Sequence, residues 1–143
     1  MTVRAWLVGQ NEAAILGQGW YDRCPDWFGL PFRESFPEAE IRLSEWREGD
    51  RLHLLCGSYL AALGKSQELR LEWGSSVVAH TLSQENQPAG WQWVSIDSPR
   101  PGTKGGSPPL RLVLEKWTHG EWEEVEDYRP VGIVFGGIFL TTS

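Results

Sequence analysis

The stretch from Arg129 to Leu140, Arg-Pro-Val-Gly-Ile-Val-Phe-Gly-Gly-Ile-Phe-Leu, constrains the fold of this chain most. Val131, Ile133 and Phe135 alternate with smaller residues, and Ile138, Phe139 and Leu140 resume the bulky series after Gly136 and Gly137. Two dense apolar sets around a glycine pair predict a buried strand that bends or bulges at the pair. A strand apolar on both faces needs neighbours on both edges, so it is expected at the centre of a sheet. The stretch is too short and too glycine-broken to cross a bilayer as a helix.

The remaining segments read as its partners. Thr2 to Val8 is a first strand, turning at Gly9 to Glu12. Gly17-Gln18-Gly19 precedes Trp20 and Tyr21 without a helical pattern to present amides to an anion, so it is not a phosphate cradle. Asp22 to Pro31 carries two prolines and a glycine around Trp27, Phe28 and Leu30 and is expected to be an ordered loop holding Cys24. Ala39 to Leu43 is a short strand, and Arg51 to Leu63 is read as extended throughout. Glu68 to Trp73 alternates cleanly and turns at Gly74 into Val77 to Leu82, a hairpin. Trp91 to Ile96 alternates with apolar groups on both faces, Ser98 to Pro109 is irregular, and Leu110 to Trp117 resumes the sheet. Trp122 and Val125 suggest a minor strand. Eight or nine short strands without helical periodicity predict an all-β fold, an antiparallel two-sheet β-sandwich of jelly-roll type over residues 1–143 as a single domain. A closed barrel is the alternative.

The chain has 143 residues, enough to bury a core without staples. Thirteen Lys and Arg against 19 Asp and Glu give a net charge of -6, which opposes binding to a phosphate backbone. Glu121, Glu123, Glu124, Glu126 and Asp127 read as a solvated hairpin end or as a cation site; their spacing matches no calcium loop. No secretory signal is visible at Met1 to Trp6, and the default expectation is cytoplasmic. The two cysteines lack metal-site spacing. Cys56 is expected as a small core residue, and a disulfide with Cys24 requires that the fold bring the two together. His53, His80 and His119 assemble neither a metal site nor a nucleophile-base set from sequence order, and an enzyme is not expected.

Leu16-Gly17-Gln18-Gly19-Trp20-Tyr21, Phe32-Arg33, the hairpin from Leu69 to Leu82, Trp91-Gln92-Trp93 and Asp127-Tyr128-Arg129-Pro130-Val131-Gly132-Ile133 resemble galactose-binding-like jelly-roll domains. More narrowly, they are similar to β-sandwich modules attached to bacterial glycosyltransferases and polysaccharide-associated proteins. The resemblance implies a non-catalytic module whose partner is a glycan or polysaccharide, beside a glycosyltransferase or another protein. It departs from the pattern at Asp22-Arg23, where a further loop with Cys24 and Pro25 follows the aromatic pair.

Nine tryptophans supply flat faces for stacking on a pyranose. Trp6, Trp73, Trp93 and Trp117 lie on expected strands and are read as core. Trp20, Tyr21, Trp27 and Trp46 lie at or near expected loops and, with Arg33 and Arg129, are the candidate ligand-binding residues; some of the four aromatics are expected to cluster with the two arginines at one end of the sandwich. Each arginine has two readings: a fork for sugar hydroxyls or a carboxylate, or an internal pair with Asp22, Asp26, Glu34 or Asp127. The functional alternative is a structural or protein-interaction module with no sugar ligand, using exposed aromatics and an edge strand. A small hydrolase is the third option, requiring two carboxylates across a cleft.

Overall fold

The structure, a computed structural model, describes residues 2–100, 108–115 and 130–142. It is an antiparallel β-sandwich of a six-stranded and a four-stranded sheet, compatible with a jelly roll and not closed into a barrel. The strands are β1 (Val3–Leu7), β2 (Trp20–Trp27), β3 (Leu30–Ser35), β4 (Glu38–Ile41), β5 (Arg51–Gly57), β6 (Gln67–Trp73), β7 (Ser76–Leu82), β8 (Gln92–Asp97), β9 (Leu110–Leu114) and β10 (Val134–Thr141). The larger sheet runs β2-β3-β10-β5-β8, with β1 also on β10, and the smaller runs β4-β9-β6-β7.

The C-terminal stretch is the centre of the larger sheet. One edge of β10 pairs with β5, from Val134 opposite Gly57 to Thr141 opposite Arg51. The other edge is shared by two strands: β3 pairs at Val134 and Phe135, and β1 from Gly137 to Thr141. The change of partner and the bulge against β5 both fall at Gly136-Gly137. Phe135, Ile138 and Leu140 point into the main core with Leu52, Leu54, Val94 and Ile96, against Ile41, Leu69, Leu71, Trp73, Leu110 and Leu112 of the smaller sheet.

Two segments differ from the sequence reading. Asp22 to Pro31, expected as a loop, is most of the β2–β3 hairpin, so Cys24 sits in a strand and the described residues alone hold ten strands rather than eight or nine. Phe28 and Gly29 both have positive φ (48° and 90°), the geometry of a two-residue hairpin turn. Pro25 lies within a register irregularity of an edge strand, where its missing N–H removes no ladder bond. After β5, the expected extended run breaks into a helical turn, α1 (Tyr59–Ala62). Ser58 causes the break: its Oγ accepts from the Ala61 amide at 3.1 Å and donates to Gln67 Oε1 at 2.6 Å, fixing a buried cap.

Helix α1 and the segment before β8 cover the outer face of the larger sheet at its β2–β3 side. There Trp27, Phe32, Tyr59, Val131 and Val134 form a second apolar cluster, bordered by Trp91. Cys24 and Cys56 are free thiols, and burial pushes Cys56 up to about 12, so it is a packing residue. Among the described residues no helix is long and apolar enough to cross a membrane.

Candidate functional site

Of the aromatic and arginine set expected from sequence, Trp20, Tyr21, Trp27 and Arg33 share the β2–β3 hairpin, and Trp46 lies apart from them. Trp46 precedes Arg51 and lies at the Thr141 end of β10, whereas Arg33 pairs opposite Phe135, near the Val134 end. Seven strand residues, ~23 Å, separate the two ends. Arg129 lies outside the described residues, as do Trp117, the acidic run from Glu121 to Asp127, and Trp122 with Val125.

At the Val134 end the side chains serve the fold. The Trp20 ring lies 4.7 Å from that of Phe135 and its Nε1 donates to the Glu40 carbonyl. The Tyr21 hydroxyl donates to the Pro130 carbonyl, and its ring lies 4.4 Å from that of Phe36. Trp27 is buried, its Nε1 donating to the Gly90 carbonyl at 2.8 Å. Arg33 donates through Nη1 to the Tyr21 carbonyl and through Nε to Glu12 at 2.9 Å.

The internal reading of Arg33 therefore holds, with Glu12 as its partner in place of Asp22, Asp26, Glu34 or Asp127. Glu12 opens a 3-10 turn (Glu12–Ala14), is 0% exposed, and also receives two hydrogen bonds from Arg23, Nε at 2.6 Å and Nη2 at 2.5 Å. Burial pushes its carboxyl up, but the hydrogen bonds and charges of the two guanidinium groups outweigh it and hold the group at about 2.

At the Thr141 end, Trp46 borders an open groove of about 820 Å³ with Arg4, Glu45, Arg47 and Glu48. Its ring lies 5.2 Å from that of Trp73, and its Nε1 is buried without a hydrogen-bond partner. Arg4 is engaged with the Glu45 carboxylate at 3.2 Å and with the Glu45 carbonyl, and stands over Trp6. The groove's aromatic side chain is thus spent on the core.

The exposed aromatic surface lies on the outer face of the larger sheet, beyond Trp91. The pairings of β1, β10, β5 and β8 set three rows across it: Val3, Thr141, Arg51, Asp97; then Ala5, Phe139, His53, Ser95; then Leu7, Gly137, Leu55, Trp93. Trp93, read as core from its strand position, is 51% exposed, because Gln92, Val94 and Ile96 take the inward positions of β8. Phe139 holds the indole edge to face, with centroids 5.3 Å apart and planes at 70°.

Beside this pair His53 spans three strands. Its Nδ1 lies 2.7 Å from Ser95 Oγ, and its Nε2 lies 3.1 Å from Thr141 Oγ1. Partial burial, and then the neighbouring Arg51 charge, lower the His53 pKa below its ordinary 6.5, so the ring is neutral at pH 7. Arg51 and Asp97 face each other at 3.7 Å at the margin. The arrangement can present a fixed aromatic plane and a polar row to one ligand. Among the described residues no group of three or more His, Cys, Asp or Glu is placed to hold a metal ion.

Sequence reasoning missed this site although its signal was present. The alternation of Trp91 to Ile96 placed Trp93 and Ser95 on one face, with Val94 and Ile96 on the other. A scan against protein-family models and a search of curated proteins both return no match, and the sheet face alone carries the functional reading.

Proposed function

We propose that this chain is a non-catalytic glycan-binding module, of galactose-binding-like jelly-roll type, whose ligand lies across the outer face of β10, β5 and β8. Trp93 carries the reading. A half-exposed indole held by Phe139 offers a rigid apolar plane to the C–H face of a sugar ring, with the hydrogen-bonded polar groups of His53, Ser95 and Thr141 alongside for the hydroxyls. Asp97 is the one acid in the three rows, whereas glycoside hydrolysis needs two carboxylates flanking the bond. An open face without an enclosing pocket suits a Kd of roughly 10 µM to 1 mM per site.

The test is a fluorescence or calorimetric titration with neutral oligosaccharides. Trp93→Ala is expected to weaken binding about tenfold or more, the loss of ~1.4 kcal/mol of stacking. Its thermal midpoint should stay close to that of the parent, because an exposed side chain contributes little to folding. A flat response of the parent protein across such glycans, or equal affinities for parent and variant, rejects the proposal.

A second reading, an assembly module without a sugar ligand, is favoured by the β2–β3 turn. Phe28 is 57% exposed and Leu30 42% exposed, and Phe28 is the one positive-φ residue other than glycine among the described residues. It predicts a mass that rises with concentration in light scattering, and a concentration-independent monomer rejects it.

A further inference from the structure

The polar groups that cross two adjacent rows at the centre of the open face, Ser95, His53 and Thr141, have a direction. The Thr141 hydroxyl contacts two groups, His53 Nε2 at 3.1 Å and the Arg51 carbonyl at 3.3 Å. A carbonyl can only accept, so with both contacts made as hydrogen bonds the Thr141 proton goes to Arg51 and Thr141 Oγ1 accepts from His53. His53 therefore carries its proton on Nε2. Its Nδ1 is then a bare lone pair, which takes the Ser95 hydroxyl proton. The two distances agree: 2.7 Å suits an O–H donor and 3.1 Å an N–H donor. The chain of donation runs Ser95 to His53 to Thr141 to the Arg51 main chain.

Every proton in that chain is committed inward. What Ser95 and Thr141 have left for a ligand is oxygen lone pairs, and Asp97, with its side chain 83% exposed, adds a carboxylate at the end of β8. The donors, the Arg51 guanidinium and the Trp93 indole, stand at the margins, and Arg51 already faces Asp97. A sugar hydroxyl placed over the row finds acceptors for its proton. A uronate or sulfate placed there finds lone pairs, a carboxylate and a protein of net charge -6. We infer that this face selects uncharged glycans that donate hydrogen bonds at its centre, over uronate or sulfated ones of the same length. The selection rests on the glycan-binding reading above; the proton arrangement does not.

Two measurements on the intact protein separate them. Nitrogen-15 NMR of His53 near neutral pH is expected to show the Nε2–H tautomer; the Nδ1–H tautomer overturns the inference whatever the protein binds. Parallel titrations with a neutral oligosaccharide and an oligogalacturonate of equal length are expected to favour the neutral one by about tenfold or more. Equal or tighter uronate binding overturns the selectivity while leaving the glycan reading intact. Binding of neither removes the glycan reading and the selectivity together. Ser95→Ala should cost the neutral ligand on the order of fivefold by deleting one acceptor; an unchanged affinity contradicts the role given to the row. Protonated His53 must donate from Nδ1 as well, turning the Ser95 proton outward. Arg51 and Asp97 are the charged groups of the three rows around it, with none contributed there by β1 or β10. The preference for neutral glycans should therefore narrow as pH falls below the His53 transition, and a preference that widens counts against it.

Discussion

Replacing Glu12 by alanine is expected to lower the free energy of unfolding by ~3–5 kcal/mol, read as a shift in denaturant midpoint at constant slope. The carboxylate is fully buried and receives three hydrogen bonds from two arginines, one of which, Arg33, has a side chain only 18% exposed. Removing the anion leaves Arg33 charged, poorly hydrated and short of a partner, which is the expensive way to break a buried pair. It also releases the 3-10 turn that joins β1 to β2. Arg23→Ala should cost clearly less, since that side chain is 47% exposed and water replaces part of what it loses. A Glu12→Ala cost below ~1 kcal/mol contradicts this account.

The same group gives stability a pH dependence of known sign. The folded-state value of about 2 lies below the unfolded reference of 4.5, so the native state holds the proton less tightly than the unfolded chain. Its contribution is complete above the unfolded value and is lost as pH falls from about 4.5 towards about 2. The difference corresponds to ~3 kcal/mol. Glu12→Gln keeps the volume and removes the titration. The variant's unfolding free energy should be flatter than the parent's across that window, and parallel profiles would assign the acid sensitivity elsewhere.

The sequence carried the architecture because a period of two is a strong signal when one face is polar. In β6, Leu69, Leu71 and Trp73 are buried, while Glu68 and Arg70 are exposed and Glu72 is partly so, as the alternation requires. The signal weakens where both faces are apolar. In β8 the alternation separates two faces without saying which is inside, and bulk alone points Trp93 to the core in place of Gln92, which is the buried one. Local composition misled at β2, since prolines and a glycine mark loops unless the strand is an edge and the glycine serves a two-residue turn.

The candidate site was less legible because side-chain pairing at a distance leaves no local mark. Glu12 reads as an ordinary turn acid, and its partners lie eleven and twenty-one residues away. His53, Ser95 and Thr141 are separated by 42 and 88 residues from the imidazole outward, and only the β8-β5-β10 register brings them together, His53 and Ser95 in one row and Thr141 in the next. A loop position leaves packing and ligand contact both open for a tryptophan, and Trp27 and Trp46 pack inward, each against another aromatic ring.

Gly137→Ala is expected to cost ~3 kcal/mol and Gly136→Ala only ~1 kcal/mol, although the two glycines are adjacent. At Gly137 φ is 155°, and an added Cβ would stand 2.6 Å from the Trp6 carbonyl oxygen and 2.8 Å from Leu7 Cδ2. The carbonyl belongs to β1, which can yield only by moving off β10 and giving up ladder bonds along Val3–Leu7. At Gly136 the atoms met are the rim of the Trp91 ring at 2.7 Å and Leu55 Cδ2 at 3.1 Å, both side chains that are only partly buried and have room to turn. Hydrogen exchange should locate the difference. Gly137→Ala should expose the β1 amides while leaving β5 and β8 protected, since β5 pairs on the opposite edge of β10 and β8 lies beyond it. Equal costs for the two variants, or β1 protection unchanged in Gly137→Ala, would mean that the close approach of β1 to β10 does not depend on the absence of a side chain there.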